Sequence, residues 1–133
     1  MKNSYPIVID DTHEEKERYV VYIPDFDINT EGNTITEAIE MSRDAIGLVG
    51  IDMEDDKKEL PKPTDIQNIS HSADEIVTLV DVDFVEYRRQ NESRSVRRNV
   101  TIPAWMNFEA NKNGINVSAV LQNALKKELH MTK

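Results

Sequence analysis

The sequence predicts an α+β protein in two parts: an N-terminal antiparallel sheet with one main covering helix, and a C-terminal strand–helix–helix tail. Three observations carry this prediction. Residues 1–88 show strand, strand, strand, helix and strand patterns in that order, residues 95–133 show a short strand pattern and two helical segments, and the net charge changes sign between the parts. A chain of 133 residues allows one ordinary domain, or two small ones that share burial with a partner subunit.

The first two strands are predicted at residues 5–10 and 18–23, joined by a polar turn over residues 11–17. This spacing fits an antiparallel hairpin. A third short strand is predicted at residues 28–31. All three precede the covering helix.

The covering helix is predicted to start at a capping box, in which Thr34 and Glu37 satisfy early backbone donors. Its apolar face recurs at helical spacing and comprises Ile35, Ala38, Ile39, Ser42, Ala45, Ile46 and Val49. Two glycines predict that it ends near residues 47–50. The charged residues 52–63 are predicted as a loop, followed by a short helical turn over residues 64–69.

The last strand of the N-terminal part is predicted at residues 76–87, with Val80, Val82 and Phe84 inward and Asp81 and Asp83 outward. The polar residues 89–94 that follow are predicted as a linker. The predicted domains are therefore residues 1–88 and residues 95–133.

The tail begins with an alternating strand at residues 97–102, which Pro103 ends because it cannot donate to a ladder. A helix is predicted to follow up to Asn113, then the breaker Gly114, then a second helix capped by Asn116. The apolar stripe of that helix contains Val117, Val120, Leu121, Ala124, Leu125 and Leu129.

One strand and two short helices cannot close a core alone, and an unpaired strand leaves open backbone groups. Pairing with the same strand of a second copy solves both problems, as in a ribbon-helix-helix dimer whose ribbon enters the major groove of DNA. The predicted dimer core comprises Val100, Ile102, Trp105, Val120, Leu121, Ala124 and Leu125.

Alternation then directs Arg97, Asn99 and Thr101 away from that core, and their side chains suit base edges. Arg98 is predicted to reach backbone phosphate from the ribbon edge. A second phosphate contact is predicted at the start of the last helix, from Asn116, Val117 and Ser118. An ordinary exposed strand followed by a capped helix is the alternative.

The charge balance indicates two kinds of partner. Residues 1–92 contain 9 Lys and Arg against 23 Asp and Glu, a net charge of −14, whereas residues 93–133 contain 7 against 2, a net charge of +5. An acidic front joined to a basic tail suggests different partners for each, although acidic surface also serves solubility.

An enzyme would have to be built from carboxylates, which hold metal ions in many nucleases. The candidates are Asp10, Asp11, Asp25, Asp27, Asp81 and Asp83. Asp81 and Asp83 are two residues apart, a spacing typical of the solvated face of a sheet. Asp10 and Asp11 lie at the end of a predicted strand, where acidic turn residues are common. The sequence shows no glycine-rich phosphate loop and no nucleophile–base pair, so we predict no catalytic residue, metal site or cofactor.

The tail segments IPAWMN, GIN, VSAVLQ and NALKKEL resemble the ribbon-helix-helix tail of HicB-type antitoxins. The front resembles the HicB domain at Tyr5-Pro6, Tyr19, Pro24-Asp25, residues 30–34 and Glu37-Ala38. The resemblance covers nearly the whole chain. It implies a partial ribonuclease-H-like fold for the front, and base-reading roles at the three ribbon positions already predicted.

The resemblance also implies a function: a type II antitoxin that neutralises a HicA-type toxin, a small basic ribonuclease acting on mRNA. It implies repression of the protein's own operon by a homodimer on operator DNA, in a heterotetramer or larger assembly with toxin. The toxin-contacting residues within 1–88 are not predicted. A stand-alone ribbon-helix-helix repressor with a ligand-sensing front domain is the alternative, and a nuclease is a more distant one.

Localisation is predicted to be cytoplasmic. The sequence lacks cysteine, so it has no disulfide or thiolate metal site, and the start of the chain lacks the apolar core of a signal peptide. It also lacks an apolar run long enough to span a membrane.

Overall fold

The computed structural model describes residues 2–11, 18–92 and 95–130, so most of the predicted turn at 11–17 and the end of the predicted linker lie outside the described residues. The chain divides into two compact units, Met1–Arg94 and Ser95–Lys133. The first unit contains β1 (Lys2–Asp10), β2 (Tyr19–Ile23), β3 (Ile28–Gly32), α1 (Ile35–Asp55), a single 3₁₀ turn (Ile66–Asn68), β4 (Glu75–Asp83) and α2 (Phe84–Asn91). The second contains α3 (Ala104–Lys112) and α4 (Val117–Glu128).

The four strands form one antiparallel sheet in the order β3-β2-β1-β4. The central strand β1 pairs with β4 along its whole length, from Lys2 opposite Asp83 to Asp10 opposite Glu75. In β4 the predicted alternation is confirmed, because Val80 and Val82 are buried whereas Asp81 is exposed. The α+β class and the sheet-and-helix organisation of the front are therefore confirmed.

Helix α1 packs on the sheet through the face that its periodicity predicted. Ala38, Ser42 and Ile46 are buried, and Ile35 lies at the rim. The capping box is also present: the Thr34 hydroxyl accepts from the Glu37 N–H at 3.0 Å, while the Glu37 carboxylate accepts from the Asn33 N–H at 3.1 Å. The core contains Tyr5, Ile7, Ile9, Val21, Ile23, Ala38, Ile46, Val80, Val82 and Phe84.

The predicted end of α1 at residues 47–50 is wrong, since the helix continues to Asp55. Its two glycines are buried where aromatic rings press on the helix. A Cβ added to Gly50 would lie 2.1 Å from Cε1 of Phe84, and one added to Gly47 would lie 2.4 Å from Cδ2 of Tyr87. These glycines therefore permit close ring-to-helix packing.

The predicted extent of the last strand is also wrong, because β4 ends at Asp83 and α2 follows at once. The Asp83 carboxylate accepts from the Glu86 N–H at 3.1 Å, which caps the new helix and stops the strand. The sheet thus has a second helix beside its main one.

Arg88 ties α2 to the end of α1, so part of the predicted linker belongs to the folded unit. Its guanidinium donates to the Ile51 carbonyl at 3.1 Å and pairs with Asp55 at 2.9 Å and with Glu92 at 3.0 Å. The hydrogen bonds with these carboxylates, with Asp55 first, raise the pKa of Arg88. Residues 89–91, predicted as linker, are helical.

We expect Gly50→Ala to lower the free energy of unfolding by about 1–3 kcal/mol, the usual cost of overpacking a filled core. The matched control is Glu40→Ala on the exposed side of α1, which should change stability by less than about 0.5 kcal/mol. Thermal and denaturant unfolding would measure both variants. A more stable Gly50→Ala protein, as helix propensity alone predicts, would contradict the packing explanation.

In the tail, both helices form as predicted. Gly114 adopts φ +65° between them, and the Asn116 side chain accepts from the Ala119 N–H at 3.1 Å, which confirms the predicted cap. The predicted strand at residues 97–102 is not a strand in the single chain. A strand is defined by its ladder partner, and the described part of this unit offers no second strand.

Candidate nucleic-acid interface and dimer surface

The tail unit contains an apolar concavity of about 420 Å³. Its lining comes from the segment before α3, from both helices and from the turn between them. The lining residues are Val100, Ile102, Met106, Ala110, Ile115, Val117, Val120, Leu121 and Ala124. Every one of these side chains is apolar, so the tail presents a continuous hydrophobic surface.

This surface is not covered within the single chain. Of the described residues 95–130, none is buried, and only Ala110 and Leu121 are partly covered. Trp105 and Phe108 are 66% and 65% exposed. Since burial of apolar area is the main force that stabilises a folded unit, this tail lacks a core of its own.

The concavity brings together five of the seven predicted dimer-core residues, namely Val100, Ile102, Val120, Leu121 and Ala124. Trp105 and Leu125 do not line it, and both are exposed. Met106, expected from the sequence to belong to the dimer core rather than to a stacking platform for bases, also lines the concavity. Sequence reasoning missed Ala110, although its spacing of four residues from Met106 on α3 is a helical-face signal.

The predicted DNA-contacting residues are exposed. Arg97, Arg98, Asn99 and Thr101 all lie in the segment before α3. Val100 and Ile102, two residues apart, both line the concavity, which is the spacing of one face of an extended chain. The base-reading and phosphate-contacting roles of their neighbours stay predictions.

At the start of α4, the side-chain oxygen of Asn116 accepts the capping hydrogen bond, and the backbone carbonyl of Asn116 accepts from the Val120 N–H at 3.1 Å, the first hydrogen bond of the helix. The N–H groups of Val117 and Ser118 lie before Val120 in the chain. A helix always leaves such early donors without intrahelical partners. They are therefore in the position that the predicted phosphate contact requires.

In the acidic unit, the carboxylates considered as metal ligands make separate structural contacts. Asp25 accepts from the Thr64 N–H at 3.0 Å, and Asp27 accepts from the Tyr22 hydroxyl at 2.8 Å. Asp83 caps α2, as described above. Within residues 2–11, 18–92 and 95–130, no three His, Cys, Asp or Glu side chains form a group that could hold a metal ion.

Asp81 lies between two cations. Arg43 pairs with it at 3.1 Å and Lys2 at 3.3 Å, and these contacts, with Arg43 first, hold the pKa of Asp81 below its usual value. Asp11 lies at the other end of the sheet, where its N–H donates to the Asp74 carbonyl at 3.2 Å. The carboxylates of β4 thus make contacts at the exposed edge of the sheet, and such surface ion pairs contribute little to stability.

None of the helices in the described part of the chain combines the length and apolar character that crossing a membrane requires.

An acidic α+β unit followed by a basic two-helix unit with an uncovered apolar face defines a small two-part binding protein. The chain belongs to the family of HicB-like antitoxins of bacterial toxin–antitoxin systems, whose sequence profile matches residues 5–123.

Three known proteins are similar to this chain. An uncharacterised 14.9 kDa protein in the rep-hol intergenic region of Haemophilus phage HP1 (strain HP1c1) is 35% identical over 106 residues, which cover 77% of this chain and 74% of that protein. A chain of a toxin–antitoxin complex from Streptococcus pneumoniae is 28% identical and covers 96% of this chain and 99% of its own, with a TM-score of 0.60. The antitoxin HicB of Burkholderia pseudomallei shares the fold at 22% identity, with a TM-score of 0.53 and 98% of each chain covered.

Proposed function

We propose that this antitoxin neutralises a HicA-type toxin, a small basic ribonuclease acting on mRNA, by binding it directly through the acidic unit. Membership of the antitoxin family and the similarity to a chain of a toxin–antitoxin complex support a toxin partner. Charge supports its type: a protein that grips RNA is positive, and residues 1–92 have a net charge of −14. Opposite charges of this size accelerate encounter and favour the correct partner.

The tail is proposed to dimerise and to bind the operator of the protein's own operon, which makes the antitoxin a repressor. The observation that carries this proposal is the uncovered apolar concavity of the tail, which demands a partner surface. A second copy supplies an identical surface and a second segment 97–102, and the two segments then form the DNA-reading ribbon. The net charge of +5 over residues 93–133 suits a phosphate-lined partner.

Two toxin molecules bound to one antitoxin dimer form a heterotetramer, which can be part of a larger assembly. The protein acts in the bacterial cytoplasm, where operator and toxin are both found. Its action is stoichiometric binding, without catalysis or a cofactor. The carboxylates of the acidic unit serve the fold and the protein surface.

Separation of the two units tests this function. We expect residues 1–94 to neutralise a co-expressed HicA-type toxin in a growth-rescue assay without binding operator DNA, and residues 95–133 to bind DNA without rescue. The front fragment must retain α2, because Arg88 joins that helix to α1. A folded front fragment that gives no rescue, while the full chain does, would contradict the division of labour. If neither the front fragment nor the full chain rescued growth, a HicA-type toxin partner would be excluded and the ligand-sensing repressor would be favoured.

A further inference from the structure

The β2–β3 hairpin presents apolar side chains on the sheet face opposite α1. In β2, Val21 and Ile23 point into the core and are fully buried, whereas Val20 and Tyr22 are 38% and 40% exposed. Pairing sets Val20 opposite Glu31 and Tyr22 opposite Asn29. Side chains directly opposite each other lie on the same face of an antiparallel pair, so these four residues form one surface.

The aromatic residue of this surface is held in place. The Tyr22 hydroxyl donates to the Asp27 carboxylate at 2.8 Å, and Asp27 adopts φ +51° in the turn that joins the two strands. The same turn is fixed by Phe26, whose ring packs edge-on against Tyr5 with centroids 4.9 Å apart. Asp25 anchors it further by accepting from Thr64. Tyr22 is therefore ordered before any partner arrives.

The surroundings of Tyr22 are acidic. Asp27 is hydrogen-bonded to a neutral hydroxyl, so this contact leaves its negative charge uncompensated. The same contact raises the pKa of Tyr22, which keeps the phenol protonated at physiological pH. Glu31 at the edge strand pairs with Arg18 at 3.0 Å, so the negative charge beside Tyr22 comes from Asp27. An apolar centre with this carboxylate at its rim is complementary to a basic protein surface.

We propose that this hairpin face, formed by Val20, Tyr22, Asn29 and Glu31 with Asp27 at its rim, is the surface on which the basic toxin docks. Tyr22 is its anchor. This inference rests on the proposed function and assigns it a site.

The exposed side of α1 is the competing surface, since Met41 and Leu48 are 42% and 57% exposed there. These two side chains are unbranched at Cβ and lie two helical turns apart. Flexible side chains lose more conformational freedom on binding than a ring that is already fixed. Tyrosine is also enriched among the residues that dominate binding energy. Both considerations favour the hairpin face.

Binding of a purified, catalytically inactivated HicA-type toxin to the full-length protein, measured by titration calorimetry, tests the proposal. We expect Tyr22→Ala to weaken toxin binding by at least about 30-fold, the effect of losing a dominant interface residue. Val20→Lys places a cation in the acidic face and should weaken binding by about tenfold or more. Tyr22→Phe retains the ring and should stay within about fivefold of the original affinity. Met41→Ala on α1 is the control and should leave affinity unchanged.

Melting temperature and circular dichroism, compared with those of the original protein, verify that the front unit of each variant is folded. If Tyr22→Ala proves unfolded, Val20→Lys decides the question, because an exposed strand position tolerates lysine. Folded hairpin variants that bind toxin as the original protein does would overturn the hairpin face while leaving the proposed function intact. Loss of binding in Met41→Ala alone would assign the toxin to α1. Failure of the unmodified protein to bind any HicA-type toxin would instead overturn the proposed function.

Discussion

Leu121→Asp dissociates the antitoxin into monomers if the tail concavity is a dimer interface. Leu121 is one of the two most covered residues of the tail and lines the concavity with Ile102. Burying an aspartate there without a cationic partner costs about 3–5 kcal/mol for each copy. Because a dimer contains the substitution twice, we expect its dissociation constant to rise by several orders of magnitude. Ile102→Asp should act in the same way, and sedimentation equilibrium of the full chain measures both.

The matched control is Gln122→Asp, which introduces the same carboxylate one residue along α4, outside the concavity. It should leave the dimer intact. Dimers of unchanged affinity in both Leu121→Asp and Ile102→Asp would show that the second copy joins elsewhere. The apolar concavity would then require a different occupant.

Arg97→Ala removes discrimination at one base pair of each operator half-site, with an expected loss of about 1–3 kcal/mol per site. An arginine in an antiparallel ribbon reaches guanine O6 and N7 with two hydrogen bonds, and alanine reaches neither. Asn99→Ala should relax a different position, since asparagine suits adenine. Thr101→Ala should have a smaller effect because threonine places fewer donors and acceptors. Affinity for operator and for scrambled duplex, at several salt concentrations, separates these outcomes.

Arg98 is the control within the same segment. It lies an even number of residues from Val100 and so on the same side of an extended segment, and we expect it to reach only backbone phosphate from the ribbon edge. Arg98→Ala should weaken operator and scrambled duplex about equally, and should flatten the salt dependence by about one unit for each arginine released from phosphate. If Arg98 proves to be the specificity residue and Arg97 and Asn99 have no effect, the register of the segment is shifted by one. The assignment of Val100 and Ile102 to the dimer core would then fail with it.

Sequence reasoning succeeded where one local rule decides the structure. The alternation of β4, the capping box at Thr34 and the cap at Asn116 each depend on residues close together in the chain. Burial follows from the same periodicity, so the core face of α1 was predictable at Ala38, Ser42 and Ile46. Such features can be predicted from neighbouring residues alone, because they do not depend on which other element packs against them.

The errors arose where a distant element overrides the local pattern. Gly47 and Gly50 are typical of a helix end, yet here they admit the rings of Tyr87 and Phe84 from α2. The pattern around Phe84 continues a strand, whereas the Asp83 cap and the packing against α1 favour a helix. Tertiary contacts over more than 30 residues of sequence decided the first, and the local Asp83 cap acted together with such contacts in the second.

The candidate sites divide in the same way. Residues of the tail concavity were predictable because α4 is amphipathic and its short unit contains no other apolar surface large enough to cover its apolar stripe. The hairpin face was not predictable, because the sequence shows Val20 and Tyr22 only as alternate residues of a strand and does not indicate which surface they belong to. Their significance comes from the pairing with β3 and from the contact between Tyr22 and Asp27.

Because no residue of the described tail is buried in the single chain, the folded state of the tail depends on protein concentration if a second copy completes its core as proposed. When folding and association coincide, the folded fraction obeys mass action and has no fixed value per molecule. Well below the dissociation constant, halving the protein concentration reduces the number of dimers about fourfold by this mass action. If this dimer represses its own operon as proposed, the promoter is released steeply as the protein concentration falls. The operon would then have a threshold for resynthesis without any separate sensor.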